Sequence, residues 1–515
     1  MTHAHIGLLV AVGLAGAARA VPLKADFKAA DGISLEGSNL VCERTDMGKA
    51  VASAPVRLPA NCVGRTVRIS VRAVGANLSN PKKLKVQLSL HNEEMEEAET
   101  ISARIDSAAA AALTNGSATI SFLYPAYGAA PWGTLSLGFE HGSGRVAFDL
   151  DTLAVEVVAD LYPQVHKDWR CVYTERVTRD ARRRGCMLGI SPPLQDGDFR
   201  DLAAYGANVV RYQMWNGFVK RRADESRGEF WERWLGIMLD NLETNVLVAA
   251  EKYGFKVAVD LHDAPGGRYR MNQRMFYERD PETGARTHYF EQFTNGWARI
   301  ARRFRGNPHI YGYDLYNEPL QDLHALGGHD CWSCNYWAAK AIREIDHEVP
   351  IIVECGDWDN AKGYRYMSPI PFTNVIYSLH FYCPHAYTHQ GVGPNEMTGP
   401  YRVAAKVGGV SGGPDYLRRR MACAKKFSDR FGAKMFVGEF SVVAWAPGAD
   451  EWLENVLSIF EEYGWDWTYH AFREWPGWSF EWEGDSQMKK LRRSEDNPRK
   501  RVLLKYFRKN RDGGR

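Results

Sequence analysis

Eight apolar runs, most of them separated by amphipathic stretches, restrict this chain's fold more than any other feature. The runs are residues 186–190, 208–212, 256–261, 310–315, 351–353, 375–379, 435–437 and 467–471. The stretches 230–253, 290–304, 334–347, 416–431 and 451–463 carry apolar residues three and four positions apart, the spacing of one helix face. Strands that are apolar throughout need cover on both faces, which alternating helices supply around a parallel sheet. Eight such units predict an α/β fold, a (β/α)8 TIM barrel. Residues 356–374 hold no clear helix, and residues 383–414 make a long glycine-rich loop of the kind that builds a barrel's ligand-binding mouth.

The first part of the chain follows a different period. Runs 65–72, 84–90, 118–123 and 146–157 alternate apolar and polar residues, with Gly, Asn and Pro between them. They predict antiparallel strands with one buried face. The domains expected are a jelly-roll-like all-β sandwich over residues 21–165 and the barrel over 166–515. In architecture the sandwich resembles jelly-roll carbohydrate-binding domains, with no motif behind the likeness, and a module that serves only packing is the other reading. Trp132 and Tyr127 are its candidate stacking residues, although single aromatics of this sort are more often core.

Residues 1–20 read as a secretion signal. The apolar run 6–18 is 13 residues long, short of the roughly 20 that span a bilayer. It ends in Ala18-Arg19-Ala20 before Val21-Pro22, a small-x-small cleavage pattern, so the chain is expected to be secreted or periplasmic, with no membrane span. Nine Cys is an odd number, which in an oxidising compartment leaves at least one without an internal partner. His324, His329, Cys331 and Cys334 are the densest group of soft ligands. Export favours a disulfide from Cys331 and Cys334, to each other or to distant cysteines, over a zinc ion.

Composition narrows the ligand. Lys+Arg 65 against Asp+Glu 62 leave a net charge of +3, so no global field argues for nucleic acid or an anionic membrane as the main partner. The 16 Trp, 24 Tyr and 22 Phe exceed what packing readily uses, and flat rings stack on sugars or bases. Trp231, Trp234, Trp297 and Trp337 are assigned to packing; Trp215, Trp358, Trp445, Trp475 and Trp478 follow strand ends. The basic run 489–515 reads as a solvated last helix and tail.

In a barrel the chemistry sits at the C-terminal strand ends. Glu318, in Asn317-Glu318-Pro319, follows the fourth strand, and Glu439, in Gly438-Glu439-Phe440, the seventh. Two acids across one barrel mouth can cleave a glycosidic bond, one protonating the leaving oxygen and one attacking the anomeric carbon. Arg211 follows the second strand, His262 the third, His380 and Tyr382 the sixth, and Trp475 stands past the eighth. This ordered set resembles glycoside hydrolase family 5, the cellulase family of retaining barrel hydrolases, over residues 183–482.

The resemblance implies that Glu318 is the acid/base and Glu439 the nucleophile. Those roles ask for a raised pKa at Glu318 and a cation beside Glu439, for which Arg211 is the candidate, with a hydrogen bond from Tyr382. Asn317 suits the sugar 2-hydroxyl, His262 and His380 orient hydroxyls or carboxylates, and Trp475 stacks on the sugar, with Trp478 as the alternative. Asp263 reads as a loop cap rather than a third acid. No metal or cofactor is called for. The expected activity is a retaining β-glycosidase acting on a β-linked polysaccharide or oligosaccharide, endo-β-1,4-glucanase-like, with β-mannanase or β-1,3-glucanase as alternatives. A transglycosylase would use the same residues. A secreted carbohydrate-binding protein without activity is the competing class, disfavoured because both glutamates and their supports are present. Oligomeric state is left open.

Overall fold

The computed structural model describes residues 20–511 apart from 63–64, 93–96, 104, 126–131, 161–168, 178–180, 190–192, 270–271, 281, 320–328, 366, 402–412 and 485–489. Nearly all of the signal segment, Tyr127 and His324 lie outside the described residues. The chain divides into two compact units, Met1–Leu161 and Tyr162–Arg515.

The first unit holds one eight-stranded antiparallel sheet. Its spine is a pair of long strands, Asn39–Arg57 and Trp132–Asp160. The two halves of the second take different neighbours: Leu84–Asn92 pairs with its beginning, from Gly133 to Phe139, and Arg65–Ala76 with its end, from Arg145 to Asp160. Leu135, Leu137 and Phe139 from one half share a buried core with Val146, Phe148 and Val155 from the other. The sandwich is therefore one sheet folded over its own core. Asn39–Arg57 escapes a pattern reading because Arg44, Asp46, Gly48 and Lys49 interrupt its alternation, and its pairing register shifts at Gly48. Trp132 is exposed rather than core.

In the second unit Arg184–Leu188 (β1), Val209–Gln213 (β2), Lys256–Asp260 (β3), Ile310–Asp314 (β4), Ile351–Glu354 (β5), Val375–Phe381 (β6), Lys434–Phe440 (β7) and Asp466–Phe472 (β8) close a parallel barrel, β8 pairing back onto β1. Every expected run is one of its strands. The longer helices between them are Asp196–Tyr205 (α1), Arg227–Asn241 (α2), Tyr289–Phe304 (α3), Cys331–Arg343 (α4), Pro414–Phe431 (α5) and Ala449–Tyr463 (α6), with Pro498–Arg508 (α7) last. After β5 the described residues of the connection hold only a short 3-10 turn, Ala361–Arg365. Local chemistry sets the boundaries. Ser226 and Glu229 cap the start of α2 reciprocally, and Gly432 and Gly464 end α5 and α6 in the left-handed conformation. On α3, Phe293, Trp297, Ile300 and Phe304 form the buried stripe.

The barrel interior changes character along its axis. Val209, Ala258, Tyr311, Ile352, Ile376 and Phe436 pack as an apolar layer near the strand starts. Two residues further on, the same inward-facing period presents Arg211, Asp260 and Glu354, all fully buried. This charged layer is the floor of the site.

Three expectations are corrected. Helix α7 is docked rather than solvated: Arg499 is buried and donates to the carbonyls of Val442, Ser479 and Trp482 at 2.9, 2.9 and 2.6 Å. Those carbonyls replace its hydration, so a basic segment serves as a clamp on the loops after β7 and β8. Trp337 is 42% exposed, beneath the Lys340 ammonium 4.7 Å from its ring centroid. No disulfide joins any of the nine cysteines; Cys331 and Cys334 are buried in α4, where Cys331 Sγ donates to the Glu354 carbonyl at 3.6 Å. His329 of the same group stacks on Phe290, ring centroids 3.5 Å apart. Among the described residues no helix is long and apolar enough to cross a membrane.

Candidate active site

Glu439 is buried on β7. Its Oε1 accepts a hydrogen bond from Arg211 Nη1 at 2.6 Å and its Oε2 one from the Tyr382 hydroxyl at 2.8 Å. Burial by itself would push this carboxyl up, but His380, His470, Arg211 and His262 together hold it well below the usual carboxylate range. These cations favour the carboxylate form of Glu439.

Arg211 spreads its fork across the barrel floor. Nε donates to Asp314 at 2.9 Å, Nη2 to Glu354 at 2.9 Å and to Asn317 Oδ1 at 3.0 Å, and Asp260 lies 3.2 Å away. Burial works against its charge, yet Asp260, Asp314, Glu439 and Glu354 keep its pKa well above the ordinary value. A planar guanidinium reaches all these partners at once, which a lysine ammonium does not.

Glu318 begins the turn after β4 with a left-handed φ of 46°. Its Oε1 accepts from His380 Nδ1 at 3.1 Å, and Arg268 Nη2 is 4.0 Å from its Oε2. An oxygen of Glu318, an oxygen of Glu439 and a ring nitrogen of His380 lie within 4.8 Å of one another. His380 is buried between acids, with Nε2 3.4 Å from Glu354 and Nδ1 3.7 Å from Glu439. Burial opposes its charge, but Glu439, Glu354 and Glu318 raise its pKa well above the usual imidazole value. Glycine at 438 makes room for it: a Cβ there would stand 2.9 Å from His380 Nε2.

The remaining sequence-derived residues divide into two groups. His262 joins the charged floor, its Nδ1 2.8 Å from Asp260 Oδ2 and its Nε2 3.3 Å from Asn317 Nδ2. Burial resists its protonation, and Asp260 overcomes it and lifts the pKa to about 9. Asn317 is held between Arg211 and His262. Trp475 stands further out, 38% exposed, edge-on to Trp445 and Trp478 with centroids 5.8 and 5.4 Å away. Trp478 is buried and packs beside Tyr382 at 6.3 Å, so Trp475 offers the open ring face and Trp478 supports it from below. Asp263 accepts the Asn216 backbone N–H at 2.7 Å, as a loop cap does.

Glu354 and His470, like Asp260 and Asp314 of the charged floor, belong to the site and were not singled out from the sequence. Glu354 ends β5 and accepts from Arg211 and from the Glu318 backbone N–H; extending the inward period one step past Ile352 would have found it. His470 on β8 sits 2.6 Å from the Tyr382 hydroxyl and 3.6 Å from Glu439 Oε2, a proximity that no local pattern announces. Among the described residues three donor groups have metal-ligand spacing: Glu318, His380 and Glu439; Glu354, Asp359 and His380; and Asp260, Asp314 and Glu354. Arg211 or a cationic His380 already stands within or against each of them, so a metal ion would meet positive charge at close range.

Residues 188–474, from the end of β1 to just past β8, match Cellulase (glycosyl hydrolase family 5). The chain belongs to glycosyl hydrolase family 5. This family 5 glycoside hydrolase is 24% identical over 304 residues to endoglucanase C of Acetivibrio thermocellus, covering 54% of this chain and 84% of that protein. It is 24% identical over 278 residues to cellodextrinase A of Ruminococcus flavefaciens, covering 53% and 76%. Among solved structures, Thermotoga maritima Cel5A in complex with cellobiose covers 63% of this chain and 98% of that one, at 21% identity and a TM-score of 0.47.

Proposed function

We propose that this family 5 hydrolase is a retaining endo-β-1,4-glucanase, with Glu439 as nucleophile and Glu318 as acid/base. The observation that carries the mechanism is the 4.8 Å limit on the separation of the Glu318 and Glu439 oxygens. Retaining glycosidases hold their carboxyl groups about 5–5.5 Å apart, whereas inverting ones leave about 6.5–9.5 Å for an intervening water. In the first step Glu318 gives its proton to the glycosidic oxygen while the Glu439 carboxylate bonds to the anomeric carbon, and the leaving sugar departs as an alcohol. In the second, Glu318 takes a proton from water, the hydroxide oxygen bonds to the anomeric carbon, and the Glu439 ester bond breaks.

Arg211, His380 and Tyr382 keep Glu439 ionised for attack and stabilise it again as a leaving group. Asn317 donates toward the sugar 2-hydroxyl, and Trp475 stacks on the ring. The β-1,4-glucan assignment rests on relatives named endoglucanase and cellodextrinase. Proton NMR of the first hydrolysis product tests the mechanism: a β-anomer is expected, and an α-anomer rejects it. An activated 2-fluoro-glycoside is expected to label the peptide containing Glu439. Reducing-sugar release is expected to be highest on soluble cellulose or lichenan; mannan or laminarin leading the panel would reassign the substrate. We also propose export, on the Ala18-Arg19-Ala20 pattern; a mature protein starting at Val21 in the extracellular or periplasmic fraction is the expected result.

A further inference from the structure

Glu354 is fully buried beneath both glutamates and offers no atom to a substrate. Its two oxygens are nonetheless occupied by the machinery above it. Oε2 accepts the backbone N–H of Glu318 at 2.6 Å, and Oε1 accepts Arg211 Nη2 at 2.9 Å and faces His380 Nε2 at 3.4 Å. One carboxylate therefore links the main chain of one catalytic glutamate to the cation bound to the other.

The link matters because of the backbone it holds. Glu318 has φ 46°, a conformation that non-glycine residues seldom adopt and that persists only where the surroundings enforce it. This φ aims its side chain at His380 and Glu439; relaxation to negative φ would swing Cβ away from them. A second observation points the same way. Asp357, Trp358 and Asp359, just after β5, are all left-handed, with φ 63°, 62° and 53°. Asp359 fixes that turn by accepting the Cys355 N–H at 2.8 Å, and the Trp358 N–H donates to the Pro319 carbonyl at 3.0 Å. The end of β5 and its turn thus grip the acid/base segment twice, at the Glu318 N–H and at the Pro319 carbonyl.

We propose that Glu354 is a positioning residue for the acid/base, setting the direction of the Glu318 carboxyl through its backbone. The inference rests on the reading of Glu318 as acid/base. Glu354→Gln keeps the shape, but one end of the amide is a donor; whichever way it turns, it meets either the Glu318 N–H or the Arg211 and His380 donors. General-acid assistance is needed for a poor leaving group and dispensable for a good one. For Glu354→Gln, kcat/KM on cellotetraose is expected to fall about 100-fold, the scale of a lost general acid. On dinitrophenyl cellobioside, kcat/KM is expected to stay near wild type, and azide is expected to raise kcat by intercepting the glycosyl-enzyme. A dinitrophenyl 2-fluoro-cellobioside is expected to label Glu439 at the wild-type rate, reporting a folded variant with an intact nucleophile.

Equal loss on both substrates, or loss on neither, overturns the inference. Glu318→Ala is measured alongside. If it shows the leaving-group pattern and Glu354→Gln does not, the positioning role alone is rejected; if Glu318→Ala hits both substrates alike, the acid/base reading fails and takes the inference with it. Should Glu354→Gln not be recovered folded, Glu354→Asp, which keeps the charge but withdraws it by one methylene, is read against the same outcomes.

Discussion

Arg211→Lys keeps a positive charge at the barrel floor and removes the fork. The guanidinium serves Asp314 through Nε, Glu439 through Nη1, and Asn317 and Glu354 through Nη2, from a side chain with no solvent exposure. A single ammonium cannot follow three diverging nitrogens, so at least two carboxylate contacts are lost. A hydrogen bond to a charged group is worth about 1.5–3 kcal/mol, which puts the loss at about 3–6 kcal/mol. Against a typical total of about 5–15 kcal/mol this is a large fraction, and the urea midpoint is expected to drop markedly. Arg211 is also one of the cations that keep Glu439 low, through a 2.6 Å contact of Nη1, and losing that contact is expected to raise the nucleophile's pKa even with a positive charge retained nearby. The acid limb of kcat/KM against pH then moves upward. Urea unfolding and the pH profile are measured on the same preparation. An unchanged midpoint with an unmoved acid limb would refute the argument that the fork carries both the packing and the electrostatics.

Other expectations follow from single contacts. Gly438→Ala places a Cβ 2.9 Å from His380 Nε2, so kcat is expected to fall with KM little changed and stability reduced by about 1–3 kcal/mol, checked by kinetics and thermal melting. Tyr382→Phe removes the 2.8 Å donor to Glu439 Oε2; a loss of about 1 kcal/mol, roughly fivefold in kcat/KM, is expected, with the acid limb shifted up. His262 has its folded pKa raised from 6.5 to about 9, so its stabilisation is fully present below pH 6.5 and lost as pH rises through 9. That contribution is about 3 kcal/mol at most, trimmed by the 19% exposure of the ring, and urea unfolding at pH 6.5 and 9 is expected to show a smaller pH difference in His262→Asn than in wild type. Trp475→Ala is expected to raise KM on oligosaccharides at unchanged stability, whereas Trp478→Ala, a buried position, is expected to cost about 3–5 kcal/mol of stability.

The elements of the barrel were legible because their signals are local. An apolar run of five residues and a helix face repeating at three and four are written in consecutive positions, and each of the eight runs became a strand. Glu318 and Glu439 were legible for a related reason: an acid just past an apolar run lands at a barrel mouth whatever the rest of the chain does. Where one segment's meaning depends on another, the sequence was silent or misleading. Asn39–Arg57 is a strand because Trp132–Asp160 pairs with it, and Arg499 is buried because carbonyls of Val442, Ser479 and Trp482 surround it.

The same division runs through the site. Residue types and strand ends determined which side chains could meet at the mouth. Only the closed barrel decided that Arg211 reaches Glu439 across 228 positions, that Glu354 accepts the N–H of Glu318 36 positions away, and that His470 supports a tyrosine 88 positions before it. Those contacts fix charge, direction and separation, because hydrogen bonds and Coulomb terms depend on ångströms in space, which residue order alone does not specify.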